Sequence, residues 1–168
     1  MEKLWSPWRS SYIDSFNDAN DKDECVFCAA SNEDIKSDNC LVLYKGKYNF
    51  LMMNLYPYNN GHLMIIPFRH ISDYTELSEE ELNEITSLNK QAILALKKVM
   101  SPHGFNFGAN IGQAAGAGIH THLHFHLVPR WSGDTNFMPV LGEVKIISQD
   151  LLVTKNNIIT ELSKLGLE

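Results

Sequence analysis

Between Leu82 and Val99 the apolar residues fall three or four places apart, at Leu82, Ile85, Leu88, Ala92, Leu96 and Val99. That spacing marks one face of an α-helix. Ser78-Glu79-Glu80-Glu81 opens the run as a capping box, with a hydroxyl at the N-cap and a carboxylate three residues on, and Pro102 stops it. Elsewhere the apolar runs are short or alternate. Residues 40–44 and 48–54 read as strands joined by a turn at Lys45-Gly46-Lys47. Residues 56–61 (YPYNNG) are dense in turn formers and lead into a third strand at 62–67. Residues 105–111 alternate as a fourth strand, and 112–118 (GQAAGAG) make a flexible loop of small residues. The stretch 119–131, IHTHLHFHLVPRW, alternates as a fifth. A strand-like run at 143–147 then precedes an amphipathic helix carrying Leu151, Leu152, Ile158, Ile159, Leu162 and Leu165.

These elements predict an α+β fold: a mostly antiparallel sheet of about five strands with one long helix and a C-terminal helix. A chain of 168 residues is long enough for one domain with its own core. We divide it into an N-terminal arm and loop (1–24), a core (25–131) and a C-terminal extension (132–168). The formal net charge of −6 argues against a surface that coats nucleic acid, which needs clustered Lys and Arg. No apolar stretch approaches the roughly 20 residues of a membrane helix, and the first residues lack the apolar core of a signal peptide. The expected compartment is the cytoplasm, with no membrane partner.

The alternation around the histidines is chemically informative. The chain has seven histidines, and His120, His122, His124 and His126 occupy every second place of one short stretch. On a strand these share one face, while Leu123, Phe125 and Leu127 share the other and pack into the core. Surface strands favour Thr and charged residues, so four imidazoles in register point to a metal site or to catalysis by imidazole. The glycine-rich loop beside them allows close approach of backbone N–H groups to a ligand such as phosphate. Cys25-Val26-Phe27-Cys28 has a spacing common to zinc sites and redox pairs; no βαβ context surrounds it, which favours zinc. Cys40 reads as a small buried hydrophobe.

His122-Leu123-His124-Phe125-His126-Leu127-Val128 resembles the signature of the histidine triad family of nucleotide hydrolases and transferases. Residues 54–67 resemble the family's nucleoside-binding hairpin, residues 128–131 (VPRW) a common continuation of the triad, and residues 4–9 (LWSPWR) an arm found in many prokaryotic members. The resemblance implies that His124 is the nucleophile, forming a nucleotidyl-imidazole with the α-phosphate of a nucleotide. It implies that His126 stabilises charge on the phosphate oxygens, that His122 orients its neighbours, and that His62 is a fourth histidine bonded to the triad. Asn54 matches a position that contacts the ribose hydroxyls. His120 lies outside the signature and is set aside.

One departure bears on substrate. Many hydrolase members carry side-chain donors just before the triad, where this chain has Gly118 and Ile119. Phosphate binding would then use the backbone of Ala117 and Gly118 together with Asn110, with Trp131 available to stack on a base or shape the pocket. That loop, with residues 133–137 (GDTNF), looks closer to members that phosphorolyse diadenosine tetraphosphate. Hydrolysis of dinucleoside polyphosphates or AMP conjugates, phosphorolysis, and a non-catalytic nucleotide-binding role all stay open. Zinc-binding relatives complete the cysteine pair with two histidines, here His70 and His122, so the resemblance implies structural Zn²⁺ on Cys25, Cys28, His70 and His122. It also implies a homodimer and no organic cofactor.

Overall fold

A computed structural model describes residues 25–134 and 149–167. The arm 1–24 and the run at 143–147 lie outside these residues. The first element is a short helix, α1 (Val26–Asn32). The strands β1 (Val42–Lys45), β2 (Asn49–Met53) and β3 (Leu63–Pro67) follow, then a long helix α2 (Glu79–Met100), β4 (Gly104–Ala109), β5 (Phe125–Arg130) and α3 (Leu151–Lys164). The strands form one antiparallel sheet in the order β1-β2-β3-β5-β4. This is the architecture expected from the apolar pattern.

The capping box is formed: the Ser78 hydroxyl accepts from the Glu81 N–H, and the Glu81 carboxylate accepts from the Ser78 N–H at 2.7 Å. At the other end Ser101 turns left-handed, with φ 47°, before Pro102. Ile85, Leu88, Ala92 and Leu96 of α2 are buried against Leu51, Met53, Leu63, Ile65, Leu123, Phe125 and Leu127 of the sheet, and Ile158 and Leu162 of α3 complete this core. The turn between β1 and β2 is tied to α2 by Glu84. Its carboxylate accepts the N–H groups of Lys47, Tyr48 and Asn49 at 2.7–2.8 Å. The opposite face of the sheet carries a second core of Phe27, Ala30, Cys40, Val42, Phe50, Met52, Met64 and Ile66, under α1.

Three details differ from the pattern-based reading. The histidine stretch becomes a strand only at Phe125, so His120, His122 and His124 precede β5. Continued in register, Ile66 would face His124 and Pro67 would face Leu123, and Pro67 has no N–H to donate there. Its carbonyl instead accepts from the His122 ring at 2.9 Å, and the Leu123 N–H turns to the Ile71 carbonyl. The in–out alternation survives this early exit from pairing. Leu165 lies past the end of α3 and is exposed, while Thr154 and Lys155 are buried in its place. Lys155 is tolerated there because its ammonium donates to the carbonyls of Ile35 and Ser37 at 2.9 and 2.8 Å. Cys40 is buried as expected, two residues before β1 begins.

Candidate functional site

His122, His124 and His126 are all at most 9% exposed, whereas His120 is exposed. The three buried rings lie on the α1 side of the sheet. His126 stands opposite Met64 on β3 and Gly108 on β4. Among the described residues nothing lies within 4 Å of where a Cβ on Gly108 would be, so the sheet is open there beside His126.

The partners of each ring assign its protons, because a carbonyl oxygen only accepts and a backbone N–H only donates. His124 Nδ1 lies 2.9 Å from the His122 carbonyl and therefore carries hydrogen, which leaves a lone pair on Nε2. His62 Nδ1 accepts from the Tyr58 N–H at 3.0 Å, so its hydrogen is on Nε2. That hydrogen is donated to His126 Nδ1 at 3.0 Å, which leaves the remaining hydrogen of neutral His126 on Nε2. Nε2 of His126 is buried and has no hydrogen-bond partner among the described residues. Burial keeps both rings neutral: it lowers His124 below the ordinary imidazole value and, with a smaller contribution from His124, takes His126 to about 4. A bare imidazole nitrogen and an unsatisfied N–H donor thus stand side by side, with ring centroids 4.8 Å apart. This pair can attack an electrophile and hold an anionic oxygen beside it.

The turn before His62 is built to place that ring. Gly61 has φ 70°, and a Cβ there would lie 2.6 Å from the Met100 sulfur. Asn54 is buried, its amide nitrogen 3.4 Å from His62 Nδ1 and its oxygen accepting from the Tyr56 N–H. Asn110, Ala117 and Gly118 fall on the connection from β4 back to His122, with Ala117 buried. Trp131 follows β5, half-buried, and its N–H donates to Asp134.

Cys25, Cys28, His70 and His122 come together with all ligand atoms within 4.8 Å of one another. His122 donates Nε2–H to the Pro67 carbonyl, so Nδ1 offers its lone pair to Cys25 at 3.3 Å and Cys28 at 3.6 Å. His70 Nδ1 is 3.3 Å from Cys28. A tetrahedral ion with bonds of about 2.0–2.3 Å spaces its donors by about 3.3–3.8 Å, so two sulfurs and two nitrogens at these separations fit one metal ion. Burial pushes the Cys25 thiol up, and the backbone N–H groups of Cys28 and Phe27 pull it down. The turn bearing His70 is held by Arg69, whose guanidinium makes two 2.7 Å bonds to the buried Glu81 carboxylate.

Three contributors escape a reading of motifs. Phe27, between the two cysteines, packs on His122 and His124. The Tyr58 ring lies over His62 and His126 at 4.7 and 5.5 Å. Asp134 gathers Arg130, Asn59 and the Trp131 N–H, tying the turn before His62 to the end of β5.

Comparison with known proteins gives a consistent picture. Residues 36–133 match the model of the HIT domain. The chain is 37% identical over 167 residues to an AP-4-A phosphorylase of Mycobacterium tuberculosis, covering 98% of this chain and 86% of the relative. It is 29% identical over 106 residues to the adenosine 5'-monophosphoramidase hnt1 of Schizosaccharomyces pombe, covering 63% and 74%. A Zn-bound histidine triad family protein from Mycobacterium smegmatis superposes with a TM-score of 0.67 at 23% identity, over 85% of this chain and 96% of that one, and shares the fold.

Proposed function

The chain belongs to the histidine triad (HIT) family of nucleotide hydrolases and transferases, and from that premise we propose that it cleaves dinucleoside polyphosphates through a nucleotidyl-His124 intermediate. His124 Nε2 attacks the α-phosphorus; the N–P bond forms as the bond from phosphorus to the bridging oxygen breaks, and the polyphosphate departs with the electron pair. An oxygen of a second acceptor then attacks the same phosphorus and releases Nε2. The observation that carries this reading is the proton assignment, a lone pair on His124 Nε2 beside an unsatisfied Nε2–H on His126. His126 donates to the phosphate oxygens as they gain charge. Asn54 meets the ribose hydroxyls, the backbone of Ala117 and Gly118 together with Asn110 lines the phosphates, and Trp131 borders the pocket.

Phosphate is the acceptor we favour, supported by the 37% identity to an AP-4-A phosphorylase. The test is product analysis with diadenosine tetraphosphate. ADP plus ATP, formed only when inorganic phosphate is present, is expected. AMP plus ATP without phosphate would make the enzyme a hydrolase, and the absence of any nucleotide product would sink the catalytic reading.

Zn²⁺ is the ion we assign to Cys25, Cys28, His70 and His122, as a closed structural site with no position left for water. Acid denaturation is expected to release about one zinc per chain; a substoichiometric yield from protein grown with zinc would reject the assignment. The acting unit is a homodimer in the cytoplasm. The dimer is supported by the edge position of β4 in the sheet of the described residues and by its exposed Phe107. The compartment accords with the absence, among the described residues, of any helix long and apolar enough to cross a membrane.

A further inference from the structure

The Cys25, Cys28, His70 and His122 cluster and the triad share His122, and one further side chain lies against both. Phe27 is 3% exposed and sits within the Cys25–Cys28 pair. Its ring meets His122 edge-on, with centroids 5.6 Å apart at 88°, and lies against His124 at 4.9 Å and 51°. His124 also meets His126 edge-on. The His124 imidazole thus touches two rings, while its Nδ1–H is fixed on a carbonyl. Removing the Phe27 wall leaves the ring free to tilt about that one bond.

The N-terminal end of the segment that carries Phe27 is held through the thiol pair. Its helix α1 has seven residues and no side-chain cap at its N-terminus. A helix that short does not persist on local interactions, so its placement depends on anchoring to the sheet. Phe27 and Ala30 anchor it in the core beneath, Lys45 Nζ holds the Glu33 carbonyl at its C-terminal end at 2.7 Å, and at its N-terminal end the two thiols face His70 and His122. The segment also precedes residues 36–133, so the matched domain does not include it.

We propose that Phe27 is a positioning residue that holds His124 in its attacking orientation, and that it does so when a metal ion closes the Cys25, Cys28, His70 and His122 set. This rests on His124 being the nucleophile and on the cluster holding a metal. The ion then contributes to the rate of nucleotidyl transfer without touching the substrate.

The experiment is a two-by-two comparison of wild type and Phe27→Ala, each metal-loaded and chelator-stripped, following single-turnover formation of nucleotidyl-protein from diadenosine tetraphosphate. Loaded Phe27→Ala is expected to keep about one metal per chain while the nucleotidylation rate falls about 10- to 100-fold, with KM within about twofold. Stripping wild type should give a similar fall, and stripping the variant should add less than about twofold, since both operations release the same ring. Phe27→Leu, which fills the space and guards against simple unfolding, should recover most of the rate. Overturning results are an unchanged rate in Phe27→Ala, a loss confined to KM, losses from stripping and substitution that multiply, or no recovery in a folded Phe27→Leu. A wild type that forms no adduct, or that binds no metal, fails at the parent reading instead and is recognised by that.

Discussion

With His124 replaced by glycine, nucleotide release from diadenosine tetraphosphate is expected to fall by on the order of 10⁴-fold or more, and no covalent nucleotidyl-protein should accumulate. The size follows from what the ring supplies. It is the one triad imidazole whose hydrogen-bonding leaves a lone pair with no partner among the described residues and outside the Cys25, Cys28 and His70 group. Without it, both displacements must occur as one direct attack by phosphate or water. Glycine at this place keeps the His122 carbonyl and removes no core contact of Leu123 or Phe125, which point to the opposite face. Binding of a non-hydrolysable analogue should therefore change by less than about tenfold, separating loss of chemistry from loss of fold. Mass spectrometry of quenched reactions checks the adduct. A variant that still becomes nucleotidylated would move the nucleophile elsewhere.

His126→Ala is expected to lower the nucleotidylation rate about 10²- to 10³-fold, the usual cost of deleting one oxyanion donor. It should also change how stability responds to acid. The folded ring titrates at about 4, below the ordinary 6.5, because burial and then His124 disfavour its cation. The unfolded chain therefore binds the extra proton between these values. The stability that comes with the neutral ring is complete above pH 6.5 and is lost as pH falls toward 4. At about 1.4 kcal/mol per pKa unit, the wild type should lose about 2–3 kcal/mol more than the variant between pH 7 and 4.5. Denaturant unfolding of both proteins at the two pH values measures the difference. Equal losses would mean that the ring is not held neutral as described.

Much of this was legible in the chain because it is written in local periodicity. The 3.6-residue spacing from Leu82 to Val99, the Ser78 capping box and the period-two alternation through Leu123, Phe125 and Leu127 each depend on neighbours a few residues apart. The grouping of Cys25, Cys28, His70 and His122 came from resemblance, since no local rule brings together residues separated by 97 positions. Other features were beyond reach for the same physical reason. The early end of β5 pairing depends on Pro67 arriving opposite it from another strand. The burial of Lys155 depends on two carbonyls more than a hundred residues away. Phe27 reads in sequence as an apolar residue between two cysteines, and its meaning lies in which rings it reaches.

The hydrogen-bond chain through Tyr58, His62 and His126 has one further consequence, for the kinds of bond this site can break. It begins at a peptide N–H, which does not give up its proton under physiological conditions. The chain is therefore a dead end for protons. His126 can lend its hydrogen to a departing oxygen, but giving it away would leave an imidazolate, which the peptide N–H at the head of the chain does not reprotonate. Leaving groups stable as anions, such as ADP or ATP, suit such a site. Amines and alcohols, which must carry a proton out with them, would have to collect it from solvent, so the direction of the chain itself favours anhydrides over amidates and esters.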